Sequence, residues 1–303
     1  MKRRAIIDIG SNSLRLIIYE VSVDLEVDVI TQGKKTIRLG SYLTKDNYLS
    51  DDGIEMAIKV LNNFKIMCGK YDVVSTKVVA TEAMRRAKNK EDICNKIKEK
   101  LDYDVRILTG EQEAWYGYLA IRNSMEIEDA ILLDVGGSSM EISLMKDGAL
   151  KQTICLPLGC IALTKMFNNI ENFTDEIYLN KYIQNTLKAI PWLEENSQLN
   201  VIGIGGIAKH IGRVSKGDKD YPIADLHDYS MTIEEILGIK KEFFSLPMEK
   251  RSEFKGLSKQ RSEIFAAPLR AILTILQYIN SERYIINSLG LREGIICEEV
   301  IYK

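Results

Sequence analysis

Two short stretches carry residue types at spacings that could handle phosphate. Ile131-Leu-Leu-Asp134-Val-Gly136-Gly137-Ser138-Ser139-Met140-Glu141 reads as an apolar strand ending in a carboxylate, a turn of Gly and Ser, and a second strand with Glu seven places after the Asp. Glycine tolerates positive φ and lets a bulky anion approach the backbone. Consecutive N–H groups in such a turn form an anion-binding nest. Asp134 and Glu141 flank that nest, and two carboxylates beside a phosphate cradle point to a Mg2+ bridging to phosphate oxygens. Ala5-Ile-Ile-Asp8-Ile-Gly10-Ser11-Asn12-Ser13-Leu14-Arg15 repeats the device 126 positions earlier, with Arg15 where the later copy has Glu141. One copy offers a cation to phosphate and the other a carboxylate to metal. A single Asp-x-Gly turn is an ordinary hairpin signal. Two copies, each between apolar strands, describe a duplicated phosphate-clamping fold.

Other chemistry-bearing residues read more plainly. Thr81–Asn89 carries Arg85, Arg86 and Lys88; guanidinium clamps phosphate bidentately, but the spacing alone reads as a solvated basic face. Thr109-Gly-Glu111-Gln-Glu113-Ala114-Trp115 opens a helix, and Thr followed by acids is ordinary capping chemistry. A general base for an attacking water would need one of these carboxylates. Glu111 lies in line with the apolar stripe Ala114, Trp115, Tyr118 and Leu119, while Glu113 shares a face with Gly117 and Ala120; the helical wheel leaves the choice open. Asn200–Gly206 is a third strand running into glycines, equally readable as a tight strand-to-helix turn. Cys155 and Cys160, and the lone His210 and His227, read as structural.

The elements that must position these groups follow from periodicity. Strands are expected at 4–9, 14–23 and 26–38, a helix at 52–69, a strand at 73–80, helices at 81–89 and 90–101, a strand at 105–108 and a helix at 110–122. The polar gap 123–129 is the expected domain boundary, giving domains 1–123 and 124–303, with the last helix (about 291–303) able to pack back onto the first. The second half restarts with strands at 130–134, 139–146 and 149–155. Helices are expected at 158–168, 174–195, from 207, at 232–245 and at 258–279, with a strand at 283–286 and a final helix from 290. Lys259 and Arg261 begin the long helix, within reach of a cleft. This order defines an α/β protein of two tandem ribonuclease-H-like, actin-like domains with an interdomain cleft, where ligands gather outside the strand ends.

Composition sets the outer limits. The chain has 303 residues, is 46% hydrophobic and 28% charged, and has net charge −2. That profile supplies ample core and no bulk positive field for nucleic acid. Five scattered cysteines and only two histidines argue against a disulfide framework or zinc site and fit a reducing cytoplasm. Met1-Lys-Arg-Arg resembles the start of a signal peptide, but Asp8 and Gly10 break the apolar run behind it. No apolar stretch is long enough for a membrane span.

Taken together, the motifs resemble the exopolyphosphatase/guanosine pentaphosphate phosphohydrolase (Ppx/GppA) family, in its short two-domain form. Asp8–Ser13 looks like that family's first phosphate motif, and Asp134–Glu141 its second, usually Asp-x-Gly-Gly-Gly-Ser-x-Glu. Ala80–Asn89 looks like its Thr-x-Ala-x-Arg-x-Ala-x-Asn segment, which singles out Arg85 over Arg86. Gly110–Ala114 is similar to its Gly-x-x-Glu-Ala, which gives Glu113 rather than Glu111 the role of catalytic base. Gly256-Leu-Ser-Lys259-x-Arg261 and Gly290-Leu-Arg292-Glu-Gly294 look like its late segments. The resemblance implies an exopolyphosphatase, or a pppGpp 5′-phosphohydrolase, or a catalytically weak polyphosphate- or alarmone-binding protein. Implied roles are catalysis by Glu113, Arg85 and Arg15; phosphate binding by Gly10, Ser11, Asn12, Ser13, Gly136, Gly137, Ser138 and Ser139; and metal binding by Asp134, Glu141 and Asp8. Mg2+ is the implied cofactor, with a monovalent cation as a second candidate. A homodimer in the cytoplasm, without nucleic acid or membrane, is the implied setting. Ser138 replaces the usual third Gly, and Met140 stands where a small hydroxyl residue is common.

Overall fold

The computed structural model describes residues 2–167 and 173–301. The first half runs β1 (Arg3–Ile9), β2 (Ser13–Val21), β3 (Val27–Thr36), α1 (Asp51–Lys70), β4 (Ser75–Ala80), α2 (Glu82–Arg86), α3 (Lys90–Leu101), β5 (Val105–Ile107) and α4 (Gly110–Arg122). The second runs β6 (Ala130–Val135), β7 (Met140–Lys146), β8 (Ala149–Leu156), α5 (Cys160–Met166), α6 (Phe173–Lys188), α7 (Pro191–Glu195), β9 (Val201–Ile204), α8 (Gly205–Lys216), β10 (Tyr229–Thr232), α9 (Ile233–Ser245), α10 (Lys259–Ser262), α11 (Ala266–Tyr278), β11 (Arg283–Ile286) and α12 (Leu291–Ile301). Two compact units result: Met1–Tyr116 with Leu291–Lys303, and Gly117–Gly290. The division falls inside α4 rather than at the polar gap 123–129.

The first unit holds a five-stranded sheet in the order β3-β2-β1-β4-β5, and the second a six-stranded sheet in the order β10-β11-β9-β6-β7-β8. Omitting edge strand β10 leaves the same plan twice: three antiparallel strands, then two added in parallel. These are two tandem actin-like units. The central strands β1 and β6 are buried almost throughout because both faces are covered. Edge strand β3 is largely exposed. In α1, Ser50 caps the start by accepting from the Gly53 N–H, and Ile54, Ala57, Leu61 and Phe64 form the buried stripe.

Several expected elements are corrected. The helix expected at 258–279 is two, α10 and α11, because Pro268 lacks an N–H and its ring would clash with the Ile264 carbonyl. Pro268 is tolerated in the first turn of α11 instead. The helix expected at 174–195 breaks into α6 and α7, with Pro191 opening the second and Ile190 pushed out of helical geometry before it. Strand β10 was not expected; it pairs antiparallel with β11. Residue 168 of the expected 158–168 helix, and residues 302–303 of the last one, lie outside the described residues. On α4 the buried position belongs to Tyr116 and not to Trp115, which is 39% exposed. The reason is α12: a Cβ on Gly294 would lie 1.9 Å from the Tyr116 carbonyl oxygen, so the two helices meet backbone to backbone there. The Tyr116 hydroxyl donates to Glu298 (2.9 Å) and the Tyr19 hydroxyl to Glu299 (2.5 Å), which also pairs with Lys77 at 2.6 Å.

Candidate active site

Each unit carries one phosphate-type turn, and the two are built alike. In the first, Asp8 stands directly opposite Arg15 across β1 and β2. In the second, Asp134 stands directly opposite Glu141 across β6 and β7. The Gly10 N–H closes its turn on the Ser13 carbonyl (3.2 Å), and the Gly136 N–H closes its own on that of Ser139 (2.9 Å). Neither glycine is at positive φ; their use is close approach, since a Cβ would lie 2.9 Å from the Ser13 carbonyl oxygen or 3.2 Å from that of Ser139. The N–H groups of Ser11, Asn12, Gly137 and Ser138 make no hydrogen bond among the described residues.

Both turns are anchored by their carbonyls. The N–H groups of Ile37 and Arg38 donate to the Asn12 carbonyl (3.2 and 2.9 Å), and that of Gly40 to Ser11 (2.8 Å). In the second unit the first N–H groups of α5 do this: Cys160 donates to Gly136 (2.9 Å) and Ile161 to Gly137 (2.7 Å). Gly159 makes that approach possible, because a Cβ there would lie 2.4 Å from the Ser138 nitrogen. Occupying the carbonyls from behind turns a flexible Gly/Ser segment into a preset cradle.

The turn of the first unit is also tied to α2. Thr81 does not cap that helix with its side chain; the Ser11 hydroxyl takes the Ala83 N–H instead (3.1 Å). Ser13 and Thr36 hydroxyls meet at 3.0 Å, and the Asn12 amide donates to Ser13 Oγ (3.3 Å). Helix α2 carries Arg85 inward. Its guanidinium donates to the Leu108 carbonyl (2.7 Å), to Glu113 and to Glu82 (2.5 Å). Arg86 points outward to Asn47 (3.0 Å). Glu111 is exposed on α4, whereas Glu113 is held against Arg85.

Asp8 is buried, and its Oδ1 has no hydrogen-bond partner among the described residues. Burial raises its pKa; the guanidinium groups of Arg15 and Arg292 oppose this, and Glu293 reinforces it. Arg292, from α12, donates to the Leu16 carbonyl (3.3 Å) and pairs with Glu293 at 3.6 Å. Sequence reasoning assigned no role to Arg292 or to Glu82; the late Gly-Leu-Arg-Glu-Gly segment was the only signal for the former.

In the second unit Glu141 is buried and accepts a hydrogen bond from Cys155 Sγ (3.1 Å). Asp134 packs against the third glycine stretch: Gly205 sits at φ +80°, and a Cβ on it would lie 2.4 Å from Asp134 Oδ1. That glycine is therefore required both by backbone geometry and by the carboxylate. Burial and then the Asp134 charge push up the pKa of Tyr284, whose hydroxyl lies 2.1 Å from where a Gly203 Cβ would stand. Like charges directly opposite on a sheet repel, so the Asp134–Glu141 pair fits a divalent cation. Among the described residues no three His, Cys, Asp or Glu groups cluster as a ready-made cage; substrate oxygens and water would complete the shell, the usual habit of Mg2+. His227 is structural: Nε2–H donates to the Ser124 carbonyl (2.9 Å) and Nδ1 accepts from the Ser288 N–H (3.4 Å). Arg261 is buried in the neighbourhood of Cys160. No helix among the described residues is long and apolar enough to cross a membrane.

Two tandem actin-like units, each with an Asp–Gly turn between its first two strands, define the fold class, and comparison with known proteins gives the family. The Ppx/GppA phosphatase family profile matches residues 16–303, and the chain belongs to that family. It is 27% identical, over 98% of its length and 46% of the relative's, to a bifunctional 3-dehydroquinate synthase/phosphatase of Fusobacterium nucleatum. It is 23% identical, over 98% of its length and 59% of the relative's, to a guanosine-5′-triphosphate,3′-diphosphate pyrophosphatase of Vibrio cholerae. The chain thus spans about half the length of the curated relatives it matches. Among solved structures, the Ppx/GppA family member of Aquifex aeolicus superposes with TM-score 0.86 at 28% identity, covering 99% of this chain and 98% of that one. An exopolyphosphatase of Cytophaga hutchinsonii shares the fold, with TM-score 0.89 at 18% identity over 99% of this chain and 98% of that one.

Proposed function

We propose that this chain is an exopolyphosphatase, hydrolysing the terminal phosphate of inorganic polyphosphate with Mg2+ and a water activated by Glu113. One observation carries the reading: the same turn occurs twice in the same register, with Arg15 opposite Asp8 in one copy and Glu141 opposite Asp134 in the other. In the first unit the turn Gly10–Ser13 offers N–H groups to phosphoryl oxygens, the Gly10 N–H being already committed to its turn. Arg15 and Arg85 neutralise charge on those oxygens. Glu113, anchored by Arg85, orients the attacking water and takes its proton. In the second unit Gly136, Gly137, Ser138 and Ser139 form the other cradle. Asp134 and Glu141 would hold Mg2+ in this unit; in the first unit Asp8, with its unpartnered Oδ1, is that unit's own candidate metal ligand. Bound there, Mg2+ would offset the charge developing on the phosphoryl oxygens. The protein's share of catalysis is positioning and electrostatic stabilisation.

A second reading, 5′-phosphate removal from pppGpp, is favoured by the name of the Vibrio cholerae relative. Phosphate release from medium-chain polyphosphate, pppGpp and ATP, measured side by side with and without Mg2+, separates the readings. Turnover of polyphosphate well above pppGpp is expected. The reverse preference would replace the first reading by the second. Binding without turnover of either would make the protein a phosphate-polymer or alarmone binder.

A further inference from the structure

Arg85 is bound by two carboxylates, and only one of them has a part in the reaction above. Glu113 meets Nη1, which also donates to the Leu108 carbonyl. Glu82, three residues before Arg85 on α2, meets Nη2 at 2.5 Å. The pair is no loose surface contact: the Arg85 and Glu82 side chains are 21% and 13% exposed. Arg86, 45% exposed and 3.9 Å from Glu82, is a distant second partner. Holding a guanidinium from two sides fixes its plane, and Glu113 takes its place from that plane. Two carboxylates thus share the Arg85 guanidinium, so that cation is partly neutralised before a phosphate arrives.

We propose that Glu82 is a positioning residue for the hydrolysis. It braces Arg85 at Nη2 while Glu113 is held at Nη1, and its charge weakens phosphate binding while its hydrogen bond keeps base and cation in register. The inference rests on the roles proposed for Arg85 and Glu113. Two substitutions separate its parts. Glu82→Gln keeps an acceptor for Arg85 Nη2 and removes the charge. Glu82→Ala removes both. A purely structural Glu82 would lower thermal stability in both variants and leave turnover per folded molecule unchanged.

The test measures kcat and KM on polyphosphate for wild type, E82Q, E82A and E113A. It also measures equilibrium binding of inorganic phosphate to the same proteins. E82A should lose about tenfold or more in kcat, because a braced group set adrift by a fraction of an ångström loses near-attack geometry. E82Q should keep most of its kcat and bind phosphate roughly threefold to tenfold more tightly, the gain expected on removing one negative charge close to the anion in a partly solvated site. Unchanged kcat in E82A, or equal phosphate affinity in E82Q and wild type, overturns the inference. An inactive wild type, or an E113A that turns over normally, sinks the hydrolase reading instead. In that case the phosphate-binding comparison between E82Q and wild type decides only whether the Glu82 charge weakens phosphate binding, and the positioning role falls with the hydrolase reading.

Discussion

Gly159→Ala is the sharpest structural probe of the Gly136–Ser139 turn, the proposed second phosphate cradle. Gly159 has φ −69°, so alanine meets no backbone strain. The conflict is steric: the new Cβ would lie 2.4 Å from the Ser138 nitrogen and 2.5 Å from the carbonyl carbons of Gly137 and Ser138. These are backbone atoms and cannot rotate away. Ordinary contact begins near 3.5 Å, so the turn and α5 must part by about 1 Å. That motion stretches the bonds from the Cys160 and Ile161 N–H groups to the Gly136 and Gly137 carbonyls. Overpacking costs about 1–3 kcal/mol, and each bond about 1 kcal/mol. Strain and lost bonds share one displacement, giving about 2–4 kcal/mol in all. Trp192 lies in the second unit, and the other of the two tryptophans, Trp115, is in the first. In a Trp115→Phe background, Trp192 fluorescence therefore follows the second unit alone. A fall in the urea midpoint on the order of 1 M is expected, with phosphate release down at least tenfold. Gly238→Ala is the control: it lies in α9 with nothing within 4 Å of the new Cβ and should stabilise by about 0.5–1 kcal/mol. A G159A protein with wild-type midpoint and activity refutes the account of how the turn is held.

Gly294→Ala should unseat α12 from Tyr116, because the new Cβ would lie 1.9 Å from a carbonyl oxygen; faster amide exchange in α12 is the readout, and unchanged exchange contradicts it. Ser11→Ala removes the hydroxyl that takes the Ala83 N–H and should destabilise the first unit by about 1 kcal/mol; a larger loss of activity than of stability would follow if α2 then misplaces Arg85. Burial pushes the Cys160 thiol from 9.0 up to about 11, against the pull of Arg261. The folded state therefore holds this proton more tightly than the unfolded one, so the stability it contributes is present below pH 9 and declines toward pH 11. Cys160→Ala should flatten that decline, and the native thiol should resist iodoacetamide at pH 8, as mass spectrometry of the digest would reveal.

Both Asp–Gly turns were legible because their signals are local: Asp, glycine and apolar strands within about a dozen residues. The duplication was legible too, and the register of Asp8 with Arg15 and of Asp134 with Glu141 bears out the parallel between the copies. What anchors the turns was not legible. Gly159 looks like any glycine until α5 folds back on Gly136 and Gly137. Ser11 reads as a phosphate ligand, and nothing local reveals that it caps a helix 72 positions on. Arg85 and Glu113 were each singled out, but their pairing joins residues 28 apart, and no local pattern drew notice to Glu82. The broken helices had visible causes in Pro191 and Pro268, which the strong apolar periodicity around them outweighed.

Glu113→Ala tests the central claim most directly. Steady-state phosphate release from polyphosphate in saturating Mg2+ should fall about 10²–10⁴-fold, while inorganic phosphate still binds. Turnover within a few-fold of wild type would show that Glu113 is not the base and that the proposed reaction is wrongly assigned to this group.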